Sequence, residues 1–255
     1  MATTTSWLEL SLKGRAWSAT MVTLGVCLLG GCGSPGTASV ADPATAAART
    51  QDRPNPNPAL FARDAEPYGH DMEFWAEQWW RWIYSVPAAN NPFLDPTLDS
   101  NQDQSGPVLF LVPGDRTNTV PHHRAIAVTP STVFNDYPCP DPTFQPAPGQ
   151  SLLDFLLAGA TPINDGVVSI DATLDGQALS DLLSYRVASD DLMYFVGDLS
   201  LQPLDGCITG ARQPGVVDSL IFMIKPLEPG RHVLTTRVVN KAGKVFAHTQ
   251  ILDVQ

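Results

Sequence analysis

Oxygen-bearing side chains alternate along one short segment, at Asp99, Asn101 and Asp103. Calcium binds six to eight hard oxygen ligands, and loops with this alternation can supply several of them. The segment is not an EF-hand, because Gln104 stands where that loop needs glycine and Phe110 where it needs the closing glutamate. A polar turn between a helix and a strand explains the same residues without a metal. Calcium held by the three alternating side chains is therefore one hypothesis beside that simpler explanation.

A cluster of tryptophans offers a second kind of chemistry. Trp75, Trp79 and Trp82 recur at helical spacing, which predicts a helix over residues 71–85 with an aromatic stripe along one face. An exposed row of aromatic rings would stack on sugar rings, whereas a buried row would pack against a core. The spacing favours core packing. Trp80 lies off the stripe, and we expect it to be the tryptophan that is exposed for ligand binding.

Few other side chains suggest a site. If their segment is extended, the adjacent His122 and His123 point to opposite faces and cannot bind one metal. Carboxylates near the proline-rich loop, such as Asp136 or Asp141, are candidates for the carboxylate pair of an extracytoplasmic glycan hydrolase. The sequence lacks the nucleophile elbow, the zinc-protease motif and the phosphate-binding glycine loop. We therefore assign no catalytic residue, and the sequence favours a non-catalytic protein.

The N-terminus has the three parts of a secretory signal. Lys13 and Arg15 precede an uncharged, mostly apolar stretch over residues 16–29, and small residues follow. A membrane-spanning helix needs roughly 20 apolar residues, and this stretch is shorter. The pattern predicts a signal peptide over residues 1–31.

The end of that signal resembles the lipobox of bacterial lipoproteins. Leu29 is followed by two glycines and then by Cys32. The resemblance implies that the Cys32 thiol is lipidated and anchors the chain to a membrane of the cell envelope. Gly33, where an aspartate would indicate retention at the inner membrane, favours the outer membrane in a Gram-negative host. The alternative is an ordinary signal that is cleaved nearby.

Cys139 and Cys207 are the cysteines that remain after the signal and the lipidated residue are set aside. An even pair in an oxidising compartment predicts one disulfide, which would stabilise the fold by roughly 4 kcal/mol. Two buried thiols and a two-cysteine metal site are the alternatives. The metal site lacks the close Cys or His spacing of zinc sites.

The net charge of the chain argues against some classes of binding partner. The formal net charge is −11, and removing residues 1–31, which carry Glu9, Lys13 and Arg15, gives −11 − 1 = −12. This balance argues against nucleic acid and against anionic membrane surfaces, since both require clustered Lys and Arg. The lipid anchor would supply the membrane contact, and the sequence leaves open which envelope protein or glycan is the partner.

The rest of the chain divides into a tether and one domain. Residues 32–60 are rich in Ala, Thr, Ser, Pro and Asn, which predicts a flexible tether, and residues 61–255 form a single globular domain. Two segments interrupt the strand-like part. One is a proline-rich loop over residues 130–148, and the other is a short helix over residues 152–158 that Gly159 ends.

Short apolar runs between turn signals make the domain mainly β. Their rhythm favours an antiparallel β-sandwich, and its last hairpin looks like the closing strands of immunoglobulin-like domains. The predicted strands are residues 108–112, 124–128, 167–174, 183–188, 192–196, 216–224, 232–239 and 244–254.

From residue 68 onward the chain resembles a family of exported bacterial proteins that has no assigned activity. The resemblance rests on three segments. The first is Trp79-Trp80-Arg81-Trp82 together with the Pro87, Asn91-Pro92 and Asp95 that follow it. The second is residues 104–111, and the third is residues 226–232. In one respect the chain departs from the family, which has a cysteine shortly before the Gln-x-Gly-Pro motif where residues 100–103 are Ser-Asn-Gln-Asp. The resemblance implies a domain identity rather than a function.

Three functions are consistent with these observations. The first is a membrane-tethered, extracytoplasmic envelope module with a structural or ligand-binding role and no catalysis. The second is a hydrolase of envelope glycans. The third is a calcium-stabilised adhesion domain.

Overall fold

The computed structural model describes residues 55–255. The predicted signal peptide, the lipid anchor at Cys32 and most of the predicted tether lie outside these residues. No helix of the described part is long and apolar enough to cross a membrane. The end of the predicted tether is packed onto the domain, because Asn57 exchanges two hydrogen bonds with the backbone of Ser180 and the fully buried Leu60 bridges to Ile224.

Besides four short 3-10 helices, two α-helices and ten β-strands make up the regular structure of this part. In chain order they are α1 (Met72–Ser85), β1 (Val108–Phe110), β2 (Arg116–Val120), β3 (Ala125–Asp136), α2 (Leu152–Asp165), β4 (Val167–Leu174), β5 (Gln177–Leu179), β6 (Arg186–Ala188), β7 (Met193–Val196), β8 (Arg212–Ile224), β9 (Gly230–Asn240) and β10 (Val245–Val254).

The strands form two facing five-stranded sheets, which confirms the predicted mainly β, sandwich-like class. The first sheet has the order β1-β3-β8-β6, with β7 also paired to β8, and the second has the order β2-β10-β9-β4-β5. The predicted antiparallel pairing holds for six of the eight strand pairs of the described part, whereas β1 pairs with β3 and β2 with β10 in parallel, so both sheets are mixed. Long connections separate these pairs in sequence, as parallel pairing requires.

Three layers follow from the two-residue periodicity of the first sheet. Alternate residues of β3 and β8, such as Ala127 and Ile221, pack against α1 on one face. Their neighbours, such as Ile126 and Phe222, pack against the second sheet on the other face. The first sheet is therefore buried on both sides, and α1 covers the face that a two-layer sandwich would leave in solvent.

Two predictions that rest on proline and glycine were wrong, namely a loop that begins at Pro130 and a helix that ends at Gly159. β3 continues through Pro130, where a loop was expected, because a bulge between Val128 and Ser131 absorbs the missing N–H group. Helix α2 continues past Gly159 and ends at Asp165. Gly159 does not end the helix; a Cβ atom there would collide with the side chain of Asn135.

Helix α1 buries all four of its tryptophans. Trp75, Trp79, Trp80 and Trp82 are each at most 7% exposed. The expectation that Trp80 is exposed was wrong, because its ring is 2% exposed and stacks on Phe134 at 5.2 Å between centroids. The buried face of α1 is therefore wider than the aromatic stripe that the helical spacing predicts.

Asn91 closes the C-terminal end of α1. It is fully buried, and its amide group donates hydrogen bonds to the carbonyl oxygens of Ile83 and Val86 at 2.7 and 3.0 Å. Its side-chain oxygen accepts from the N–H of Phe93 at 3.0 Å. The Asn91-Pro92 pair of the sequence is therefore a helix-capping device.

We expect Asn91→Ala to lower the free energy of unfolding by about 3 kcal/mol, since it leaves several buried backbone groups without partners. Urea denaturation followed by far-UV circular dichroism measures the change. Asn90→Ala is the matched control, because the neighbouring Asn90 is exposed. Equal stability of the two variants would contradict the capping role.

Candidate functional site

An open groove of about 540 Å³ lies between α1 and the loop that leads into β1. This volume is in the range of small-molecule and oligosaccharide sites. The groove is lined by Tyr68, His70, Phe74, Trp75, Gln78, Arg81, Trp82 and Ser85 on the helix side, and by Asp103, Gln104, Ser105, Pro107, Val108 and Phe110 on the loop side. We refer to it as the aromatic groove.

The floor of the aromatic groove is a set of fixed rings. Trp82 stacks on Phe110 with 6.0 Å between centroids, and Trp75 lies 6.3 Å from the same ring. The indole N–H of Trp75 donates to the carbonyl of Pro67, and that of Trp82 donates to the carbonyl of Gln102. Because these donors are already used inside the protein, the rings form a rigid and nearly buried floor, of which only the edges reach the groove.

Tyr68 forms an exposed rim above this floor. Its side chain is 44% exposed, and its ring meets Trp75 edge-on at 6.2 Å. The backbone of Tyr68 is left-handed, with φ of 59°, and Gly69 follows with φ of 82°. A bulky residue in this region costs free energy, and such residues concentrate at functional sites. His70 and Phe74 add a stacked pair of rings beside it, 3.8 Å apart.

The opposite wall is held by the side chain of Gln104. Its amide group donates to the carbonyl of Phe110 at 2.8 Å and its oxygen accepts from the N–H of the same residue at 2.7 Å. Gln104 thereby pairs with the end of β1 as a neighbouring strand would. Gly106, with φ of 90°, then reverses the chain into Pro107. Arg124 adds hydrogen bonds to the carbonyls of Ser105 and Val108.

Two of the three segments that carry the family resemblance therefore meet at one place. The tryptophan segment supplies Trp82 and Arg81 on one side of the groove, and the Gln-x-Gly-Pro segment supplies the other. The sequence gives no direct sign of this meeting. Tyr68 was missed for the same reason, although the Tyr68-Gly69 pair is a turn signal.

The predicted calcium ligands are used in other contacts. Asp99 accepts hydrogen bonds from the N–H groups of Asn101 and Thr119 at 2.9 and 2.8 Å. The side-chain oxygen of Asn101 accepts from the guanidinium of Arg124 at 3.3 Å, which places a positive charge at the segment. Asp103 is exposed and lies at the groove. The structure supports the polar-turn explanation here more directly than a metal site.

The other candidate residues are dispersed. His122 and His123 lie in a turn with their rings 5.5 Å apart, and His122 contacts the carbonyl of Gln255. Asp136 is fully buried, whereas Asp141 is exposed in a turn with Thr143. A general acid must reach its substrate, and the buried Asp136 does not meet that requirement in this structure.

An acidic pair on α1 was not predicted. Burial raises the pKa of Glu73 to about 7. The hydrogen bond that its carboxylate accepts from the N–H of Asp190 lowers the pKa, but by less than burial raises it. Burial also raises the pKa of Glu77, whose ion pair with Arg81, at 3.1 Å, opposes the change. Two carboxylates four residues apart on a predicted helix lie on the same face, and this spacing could have predicted the pair. Arg81 connects this acidic face to the aromatic groove.

Glu73 should make stability depend on pH. Its pKa is about 7 in the folded state against 4.5 for the ordinary group, so unfolding between these values releases a proton. The contribution of Glu73 to the free energy of unfolding therefore falls as the pH rises through this window. Besides Asp190, the acidic neighbours Glu77 and Asp71 raise this pKa further.

Glu73→Gln cannot titrate and keeps an oxygen that can accept from Asp190. We expect it to be more stable relative to the wild type at pH 8 than at pH 5, as measured by urea denaturation at both values. Glu66→Gln, at an exposed glutamate, is the control and should show no such difference. Parallel stability curves for Glu73→Gln and the wild type would refute the prediction.

Neither a protein-family model nor a curated protein matches this chain. Among solved structures, it is similar to a cysteine protease inhibitor from Entamoeba histolytica, with 11% identity and a TM-score of 0.23. The match covers 58% of this chain and 94% of the inhibitor. A similarity at this TM-score carries no argument about function.

Proposed function

We propose that the chain is a membrane-tethered, extracytoplasmic protein that binds a glycan of the cell envelope in the aromatic groove and does not catalyse a reaction. The observation that carries the proposal is the groove itself, where fixed aromatic rings and polar side chains line one open channel. The lipid anchor at Cys32 rests on the sequence pattern alone.

The composition of the groove favours a sugar over other small ligands. Sugar rings present apolar C–H faces and a rim of hydroxyl groups. Tyr68, which is 44% exposed, offers the apolar face, and the nearly buried rings of Trp75, Trp82 and Phe110 support it from below. Gln78 and Asp103 offer donors and acceptors at the edges. Arg81 is the one Lys or Arg in the groove lining and is paired with Glu77, so the groove is not built for a strongly anionic ligand.

The backbone of the groove supports a binding role as well. Four non-glycine residues of the described part have positive φ, and two of them, Tyr68 and Asp103, lie on opposite rims of this groove. Strain of this kind persists where the surrounding structure fixes it for a purpose. A rim that is already ordered would also lose less entropy when a ligand binds.

Tryptophan fluorescence can test the proposal directly. The four tryptophans of residues 55–255 all lie on α1, and two of them line the groove. We expect a saturable change in emission when soluble, uncrosslinked peptidoglycan strands or polysaccharides released from lipopolysaccharide are titrated into the purified protein. Tyr68→Ala should weaken the affinity about fivefold, since stacking one ring contributes roughly 1 kcal/mol.

Leu183→Ala is the matched control, because Leu183 is also 44% exposed but does not line the groove. The absence of a saturable change with any of these glycans would refute the proposal. Equal affinity of Tyr68→Ala and the wild type would refute the assignment of the groove as the site.

A further inference from the structure

A separate cluster of metal-ligating side chains surrounds the disulfide between Cys139 and Cys207. One carboxylate oxygen of Asp136 and the two Sγ atoms all lie within 4.8 Å of one another. None of the three residues lines the aromatic groove. The disulfide confirms the predicted pairing, but the nearby carboxylate was not expected.

The carboxylate of Asp136 is held in a fixed orientation. It is fully buried, and its Oδ2 atom accepts a hydrogen bond from the side-chain amide of Gln213 at 2.7 Å. The same amide group donates to the carbonyl of Cys207 at 3.0 Å. The oxygen of Gln213 accepts from the N–H of Thr209 at 2.8 Å, which fixes the amide in turn. Such outer-shell hydrogen bonds are what orient metal-ligating carboxylates.

The two cysteines differ in burial. Cys207 is 1% exposed, and its N–H donates to Asp205 at 3.0 Å. Cys139 is half-buried and lies in the loop between β3 and α2. A thiolate from solvent can therefore attack the sulfur of Cys139 more readily than that of Cys207.

We propose that reduction of the Cys139–Cys207 disulfide creates a zinc site whose protein ligands are the two thiolates and the carboxylate of Asp136. The site is independent of the glycan-binding function proposed above. Under this proposal the region has two states. In the oxidised state the disulfide joins the end of β3 to the segment before β8, and in the reduced state a zinc ion joins them.

The chemistry needs a dithiol reductant. Its first thiolate attacks the Sγ atom of Cys139, breaks the S–S bond and releases the Cys207 thiolate. Its second thiolate then attacks the mixed disulfide, releases the Cys139 thiolate and leaves the reductant as a cyclic disulfide. The two electrons of the reductant thus reside on the cysteines. Zn²⁺ then binds both thiolates, and any protons that they had taken up are released to solvent.

The donor set selects the metal. Thiolates are soft ligands that bind zinc at about 2.3 Å, and a carboxylate oxygen binds it at about 2.0–2.2 Å. The corresponding ligand-to-ligand distances are roughly 3.5–3.8 Å in a tetrahedron. The carboxylate oxygen lies within 4.8 Å of both Sγ atoms, so the zinc geometry needs the two Sγ atoms to separate and all three ligand atoms to settle at these distances. Calcium prefers an all-oxygen set, so it would not compete.

The test uses the whole purified protein, reduced with a phosphine that is then removed without oxygen. Zinc is titrated in competition with a chromophoric chelator. We expect one zinc ion per reduced chain, a dissociation constant below about 1 μM and a higher melting temperature of the reduced protein. The oxidised protein should bind no zinc at this site.

Asp136→Asn preserves the shape of the side chain but removes its charge, and it should weaken zinc binding at least about tenfold. Asp141→Asn is the matched control, because Asp141 lies in the same loop as Cys139 and is exposed. The double variant Cys139→Ser, Cys207→Ser should bind no zinc. Disulfide formation in Asp136→Asn, measured by thiol titration after oxidation, shows whether the variant has folded.

X-ray absorption at the zinc edge tests the wild-type protein without any substitution. We expect two sulfur neighbours at about 2.3 Å and lighter atoms at about 2.0 Å. Failure of the reduced wild type to bind zinc, or a spectrum without two sulfur neighbours, would overturn the proposal. Equal affinities of Asp136→Asn and Asp141→Asn would remove Asp136 from the site.

Discussion

The structure depends on the burial of four indole rings whose N–H groups must each find an acceptor. A buried N–H group without a partner costs roughly 1–3 kcal/mol, so each tryptophan of α1 restricts the segment that supplies its acceptor. Trp75 donates to the segment before α1, Trp79 to the carbonyl of Leu111, Trp80 to Thr132 in β3 and Trp82 to the loop at Gln102. The helix is thereby fixed to the sheet, to the segment before α1 and to the loop that forms the opposite wall of the groove.

The aromatic groove is a consequence of this arrangement. The hydrogen bond from Trp82 to Gln102 holds the start of the loop beside the helix. Gln104 then pairs with the backbone of Phe110 and holds the rest of the loop against β1. The channel between helix and loop therefore stays open through the same hydrogen bonds that satisfy the core. A groove built in this way is formed before any ligand arrives.

Local signals predicted local structure, and partners distant in sequence decided the rest. The alternation over residues 167–174 gave the bounds of β4, and Asp71 caps α1 where the dipole favours an acidic residue. Pro130 was misinterpreted because the bulge that accommodates it depends on the register with β8. The burial of Trp80 likewise depends on Phe134 and Thr132 in β3. The groove could not be predicted, since its two walls are joined by contacts that no spacing reveals.

The groove and the disulfide are connected by a short chain of hydrogen bonds. The hydroxyl of Tyr84, near the end of α1, donates to Asp205 at 2.9 Å, and Asp205 in turn accepts from the N–H of Cys207 at 3.0 Å. A hydrogen bond of this kind contributes about 1 kcal/mol to stability. A change at Cys207 that breaks this chain would therefore remove about 1 kcal/mol from the contacts that hold α1, which corresponds to roughly fivefold in an equilibrium constant.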